Sequence, residues 1–94
     1  MNRLVDIEVA SIRRLFDLSG KKAVVTGGGG GIGLAISLGL KEYNASEIAL
    51  IEPFEGKLKA ALKFFKETLG YEPLTVIADV SKKDQVEEAV EKIV

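Results

Sequence analysis

The sequence predicts an α/β fold in which three parallel strands, in spatial order 3-2-1, carry helices on their faces. Two observations predict it. Three short apolar runs alternate with three segments whose apolar residues recur at the 3.6-residue period of a helix. Five consecutive glycines, Gly27 to Gly31, join the first apolar run to the first periodic segment. With short connections, right-handed crossovers place such strands side by side in a parallel sheet.

The elements follow in order. Upstream of them, residues 1–14 form an N-terminal arm in which Val5, Val9 and Ile12, continued by Phe16, recur at steps of four, three and four. That spacing predicts one short amphipathic helix, serving either as a loosely held arm or as a docking or dimerisation segment. Ser19-Gly20 marks a turn. Lys22 to Thr26 reads as the first strand, its adjacent valines suited to a strand buried on both faces. The helix after the glycines runs to about Tyr43 and is predicted to turn Ile32, Ala35, Ile36, Gly39 and Leu40 inward, with Gly33 and Gly39 letting it sit close to the sheet. At Asn44 the chain leaves the helix through a left-handed residue, for which asparagine is the next most tolerant choice after glycine.

Ile48 to Ile51 is the second strand. Glu55 to Leu69 is the second helix, since Leu58, Ala61, Leu62, Phe65 and Leu69 share one face, and Gly70 stops it. Pro73 admits a third strand, Leu74 to Ala78, and Ser81-Lys82-Lys83-Asp84 resembles a capping box for a third helix bearing Val86, Ala89, Val90 and Ile93.

Composition narrows the function. A chain of 94 residues, 47% hydrophobic and with a formal charge of −1, suits one compact soluble unit. Lysines and glutamates are interspersed, which gives no electrostatic footprint for nucleic acid or an anionic membrane. Without cysteine or histidine, thiolate and imidazole metal sites are excluded, and so is the commonest general base. No apolar run approaches the roughly 20 residues that span a bilayer. A cytoplasmic location is the resulting expectation.

The glycine run carries the chemistry. A helix N-terminus presents unpaired N–H groups and the positive end of the helix dipole, and glycine lets a phosphate approach that backbone without meeting a Cβ. The predicted ligand is a nucleotide diphosphate. A flexible linker would have the same composition, but linkers are not normally bracketed by a buried-type strand and a helix. Gly27, Gly31 and Gly33 follow the pattern T-G-x-x-x-G-x-G. With the lead-in Leu15-Phe16-Asp17-Leu18-Ser19-Gly20-Lys21-Lys22 and the later Asp79-Val80-Ser81, this makes residues 15–94 resemble the N-terminal part of a short-chain dehydrogenase/reductase. The expected fold is therefore a partial Rossmann fold, the N-terminal half of an NAD(P)-binding domain. In the complete fold a fourth strand pairs with the free edge of the first.

That resemblance implies cofactor contacts from Gly27, Gly29, Gly30, Gly31, Ile32 and Gly33, with the Ile32 N–H on the pyrophosphate and its side chain packed inward. Thr26 either ties the glycine turn to neighbouring backbone or touches ligand. Glu52, 19 positions beyond Gly33, stands where an acid accepts hydrogen bonds from the adenosine ribose; a solvated loop acid is the alternative. A carboxylate there repels a 2′-phosphate, Gly30 is uncharged and Pro53-Phe54 supplies no guanidinium, so NAD is expected ahead of NADP, with nearby Lys57 as the counter-indication. By the same resemblance Asp79 bonds the adenine amino group and Val80 contributes main-chain contacts. Asp79 also suits a local role at the positive end of the third helix, and both roles are compatible.

The family's Tyr-x-x-x-Lys pair is not formed here, since Tyr43 is followed four residues later by Glu47 and Tyr71 by Thr75. Both tyrosines read as packing residues, and no catalytic residue or metal site is assigned. The expectation is the cofactor-binding segment of an oxidoreductase acting on an alcohol, polyol or ketone, with this chain alone binding cofactor weakly at most and transferring no hydride. Two other readings are a nucleotide-binding module completed by a protein partner or by self-association along the first strand's free edge, and a truncated product without function. A methyltransferase-like protein shares the fold, but the glycine spacing and Asp79-Val80 argue against it.

Overall fold

The structure, a computed structural model, describes residues 14–94. The amphipathic helix expected over the N-terminal arm lies outside the described residues, apart from helical backbone at residues 14–16. Thereafter the order is β1 (Lys22–Thr26), α1 (Gly31–Glu42), β2 (Glu47–Glu52), α2 (Glu55–Leu69), β3 (Leu74–Ile77) and α3 (Lys83–Ile93). All three strands are parallel, with β2 between its neighbours; Val24 pairs with Ala49, and Ala49 in turn with Leu74. The predicted α/β architecture and strand order are those observed.

Strand β2 is the centre of the packing. From Ile48 to Glu52 every residue is buried, the even-numbered apolar side chains on one face and the odd on the other. One face meets α1 and α2 in a core of Ala45, Ile48, Leu50, Leu58, Ala61 and Phe65; the other meets α3 through Ile51, Val76, Ala78 and Ala89. Tyr71 joins the first core, its hydroxyl accepting the Ile48 N–H at 2.9 Å and its ring lying edge-on to Phe65. The predicted packing role of this tyrosine thus includes a hydrogen bond at the entrance of β2.

Three sequence expectations are corrected. Strand β1 is not buried on both faces: it is an edge strand, and Val24 remains 51% exposed. Helix α1 turns Gly33, Leu34, Ser37 and Leu38 toward the core, whereas Ile32, Ala35 and Ile36 point to solvent. Its sequence is apolar nearly all round, so periodicity admits two phases. Close contact between Gly33 and the glycine loop selects one, and Ser37 then sits fully buried with its hydroxyl donating to the Gly33 carbonyl at 2.7 Å. Gly39 has open space where a Cβ would stand, so it is not needed for close packing.

The third correction concerns the start of α3. Lys82, not Ser81, is its N-cap and makes no side-chain capping bond. The Ser81 hydroxyl donates to the Asp79 carboxylate at 2.7 Å, a charged acceptor that outcompetes a capping geometry. Gln85, at the third helical position, reaches back to accept the Asp79 N–H at 2.7 Å, half of a capping box displaced toward β3.

The exit from α1 follows expectation. Asn44 has φ of 75°, and among the described residues no other non-glycine has positive φ. Its side chain donates to Asp17 at 2.9 Å, fastening the lead-in segment beneath the helix end. Phe65, with no exposed surface, anchors α2 on β2, so Phe65→Ala is expected to cost about 3–5 kcal/mol in denaturant unfolding. Leaving stability unchanged would show that α2 does not pack as described.

Candidate functional site

The glycine loop is built on the carboxyl end of β2. Gly27 N–H donates to the Ile51 carbonyl at 2.8 Å, so the turn leaves β1 tied to the neighbouring strand. Thr26 was a candidate for this task; among the described residues its hydroxyl makes no hydrogen bond, and backbone does the tying instead. The chain then passes through Gly31 at φ of 54°, a left-handed conformation costing a side-chain-bearing residue about 1–2 kcal/mol. A Cβ on Gly33 would collide with the Gly27 carbonyl oxygen and stand 2.9 Å from its carbon. The first turn of α1 and the loop are therefore pressed together, a cradle that any Cβ at this point would fill.

The end of α1 that this creates is open. Gly30 is its N-cap without a side-chain cap, the first turn carries no acid, and the N–H groups of Gly31, Ile32 and Gly33 donate to no described residue. The other two helices differ, with Glu55 and Asp84 in their first turns. Positive dipole and unpaired donors suit an anion. The Ile32 side chain, expected to pack inward, is 80% exposed because the Gly33 contact rotates it onto the outer flank of α1.

Glu52 ends β2 and is 5% exposed, which overturns the loop-acid alternative. Its side chain lies against Gly29, with Cγ 2.6 Å from the position a Cβ there would take. Among the described residues its carboxylate has no hydrogen-bond or ion-pair partner, yet no buried side-chain oxygen is unsatisfied. The carboxylate tip therefore reaches solvent, at a cleft of about 690 Å³ that it lines with Gly27, Gly30, Gly31, Asp79 and Val80. Six of the nine residues predicted from sequence converge there. Gly29 lies beneath Glu52, Gly33 beneath Gly27, and Ile32 is set on the α1 flank.

Asp79 has a local partner in Ser81. One carboxylate oxygen accepts both the Ser81 hydroxyl and, at 3.0 Å, the Ser81 N–H, which together hold the carboxyl below the ordinary aspartate value. The second oxygen accepts nothing from the described residues, and Asp79 lines the cleft. Sequence reasoning did not single out Phe54, whose exposed ring borders the cleft with the Lys57 ammonium 5.1 Å from its centroid. An aromatic residue directly before an acidic helix start was the available signal.

A parallel β-α-β unit whose glycine loop opens a helix and whose second strand ends in an acid defines a dinucleotide-binding unit of the Rossmann class. The short chain dehydrogenase family model matches residues 21–94, and the chain belongs to this family. It is 39% identical to the gluconate 5-dehydrogenase of Gluconobacter oxydans over 79 residues, covering 84% of this chain and 30% of that protein. It is 33% identical, with the same coverage, to the 2-dehydro-3-deoxy-D-gluconate 5-dehydrogenase of Formosa agariphila. Among solved structures, the L-sorbose reductase of Gluconobacter frateurii, complexed with NADPH and L-sorbose, superposes with a TM-score of 0.74 at 37% identity, over 83% of this chain and 29% of that one. The chain thus spans about a third of the length of these relatives.

Two outcomes test this geometry. Gly33→Ala must separate α1 from the loop, and a loss of about 1–3 kcal/mol in denaturant unfolding is expected. Because the Asp79 carboxyl is depressed in the folded chain, its contribution to stability is present above the unfolded-state value and is lost as pH falls through the folded one. NMR titration should find Asp79 below ordinary aspartate, moving up in Ser81→Ala; an unmoved value would remove Ser81 as the cause.

Proposed function

We propose that this chain holds the adenosine-diphosphate half of a nicotinamide cofactor, as the cofactor-binding segment of an oxidoreductase acting on an alcohol, polyol or ketone. The observation that carries the reading is the convergence of an uncapped helix N-terminus and a buried-stem carboxylate on one cleft. Unpaired N–H groups at Gly31, Ile32 and Gly33 donate to the pyrophosphate oxygens. Glu52 accepts the ribose hydroxyls, the Gly29 contact fixing its stem. The second oxygen of Asp79 takes the adenine amino group while the first stays with Ser81, and Val80 adds main-chain contacts. Bound nicotinamide supplies the hydride chemistry. The polyhydroxylated substrates named for the relatives support a polyol or keto-sugar class.

Glu52 supports NAD as the cofactor, whereas the L-sorbose reductase holds NADPH. This chain carries no Tyr-x-x-x-Lys pair, and we expect it to bind cofactor weakly and to turn over nothing by itself. A second reading, favoured by a β1 edge that has no partner strand among the described residues and by the exposed Val24 on it, is a module whose sheet is extended by another polypeptide or a second copy.

Calorimetric titration with NAD checks the first reading. Glu52→Ala should weaken binding about tenfold or more, as loss of hydrogen bonds to a charged group does. Gly31→Val, at a position where an added Cβ meets nothing within 4 Å, forces a β-branched residue into left-handed backbone and should abolish it. Heat from NAD that neither variant changes, in chains shown folded by circular dichroism, would place the ligand elsewhere.

A further inference from the structure

We propose that residues 5–16 of this chain pack as a helix along the outer face of α1, parallel to it and in register, with Val5, Val9, Ile12 and Phe16 opposite Ile32, Ile36, Gly39 and Tyr43. The inference is independent of nucleotide binding. It starts from an apolar stripe that the core does not use: Ile32 is 80% exposed, Ile36 52% and Tyr43, at the helix end, 55%. With Gly39 these positions recur at steps of four, three and four, which keeps them within one narrow strip of helix surface. Leu34, Ser37 and Leu38 turn the other way, toward the sheet.

Spacing and attachment identify the occupant. Val5, Val9, Ile12 and Phe16 recur at the same steps of four, three and four. Two helices that share this spacing bury their apolar residues along a single seam. The last pair of the seam lies within the described residues: the Phe16 and Tyr43 rings are 6.4 Å apart, tilted at 55°. Neighbouring bonds hold them there, the Leu18 N–H donating to the Tyr43 carbonyl at 2.8 Å and the Asn44 side chain to Asp17 at 2.9 Å. Backbone at residues 14–16 is helical, so the segment upstream begins as a helix at the foot of the stripe.

Length and shape agree with this pairing. Residues 5–16 and 32–43 are equally long, about 18 Å each as helix, so the two match end to end. Gly39 puts a notch midway along the stripe, since a Cβ there would meet nothing within 4 Å, and Ile12 falls opposite it. Asp6, Glu8 and Arg14 fall outside the seam at helical spacing. A helix this short is marginal alone in water; the α1 stripe supplies the apolar surface it lacks, and the short tether through Leu18 raises its local concentration there.

The chain has no cysteine, so an engineered pair reports on one contact alone. In the full 94-residue chain carrying Val9→Cys with Ile36→Cys, oxidation should close a disulfide within the molecule about tenfold faster than with Ala10→Cys and Ile36→Cys, because Ala10 is turned away from the seam. Equal rates overturn the proposal, and so does a disulfide formed only between molecules, which would give the stripe to a second copy. A second measurement needs no cross-link. Val9→Asp should move the NMR amide resonances of Ile36 and Gly39, and Ala10→Asp should leave them in place. Resonances that do not distinguish the two substitutions, in chains shown folded by circular dichroism, overturn it equally.

Discussion

Two backbone carbonyls at the end of β2 hold the site together. The Ile51 oxygen accepts the Gly27 N–H from one side, and the Glu52 oxygen accepts the Ala78 N–H at 3.2 Å from the other. The glycine loop and the β3 exit are thereby registered on the same two residues, and the second of these carries the carboxylate of the cleft. Among the described residues β2 alone is paired along both edges and covered on both faces. A disturbance of β2 would displace the loop, the acid and Asp79 together.

The sheet is asymmetric as a consequence. Burial is concentrated around β2 and α2, while β1 has one edge unpaired among the described residues, and Val24 on it is half exposed. An edge of this kind is usually protected by charge, proline or a covering element. Within β1 itself charge is present at the entrance, where Lys22 lies 3.5 Å from Glu47, a solvent-exposed pair of little energetic weight. The β1 edge thus carries little of that protection among the described residues.

Electrostatically the cleft works by separation. Unpaired donors without a competing acid stand at α1, and carboxylates stand at the ends of β2 and β3. Lys57, the one lining cation among the described residues, comes from α2. Different secondary elements thus supply different signs, and the fold brings them to one opening. At Asp79 one carboxylate oxygen organises the turn into α3 by accepting both the Ser81 hydroxyl and the Ser81 N–H.

The sequence by itself determined the element order, the parallel sheet, the glycine loop and the residues at the strand ends. These features are local: apolar runs, helical periodicity, Gly70 and Asn44 as stops, and glycines where a Cβ would collide or φ turns positive. Only the tertiary structure decided the rotation of α1, the exposure of β1 and the capping of α3. The segment Gly31–Glu42 is apolar on more than one face, so its inward side was chosen by contact between Gly33 and Gly27, residues of two different elements. Burial of Val24 depends on what lies beside β1, and Ser81 had a charged acceptor two residues back that a capping pattern does not register. Glu52 joins the two levels: its position was legible from spacing, but its burial against Gly29 required strand and loop to meet.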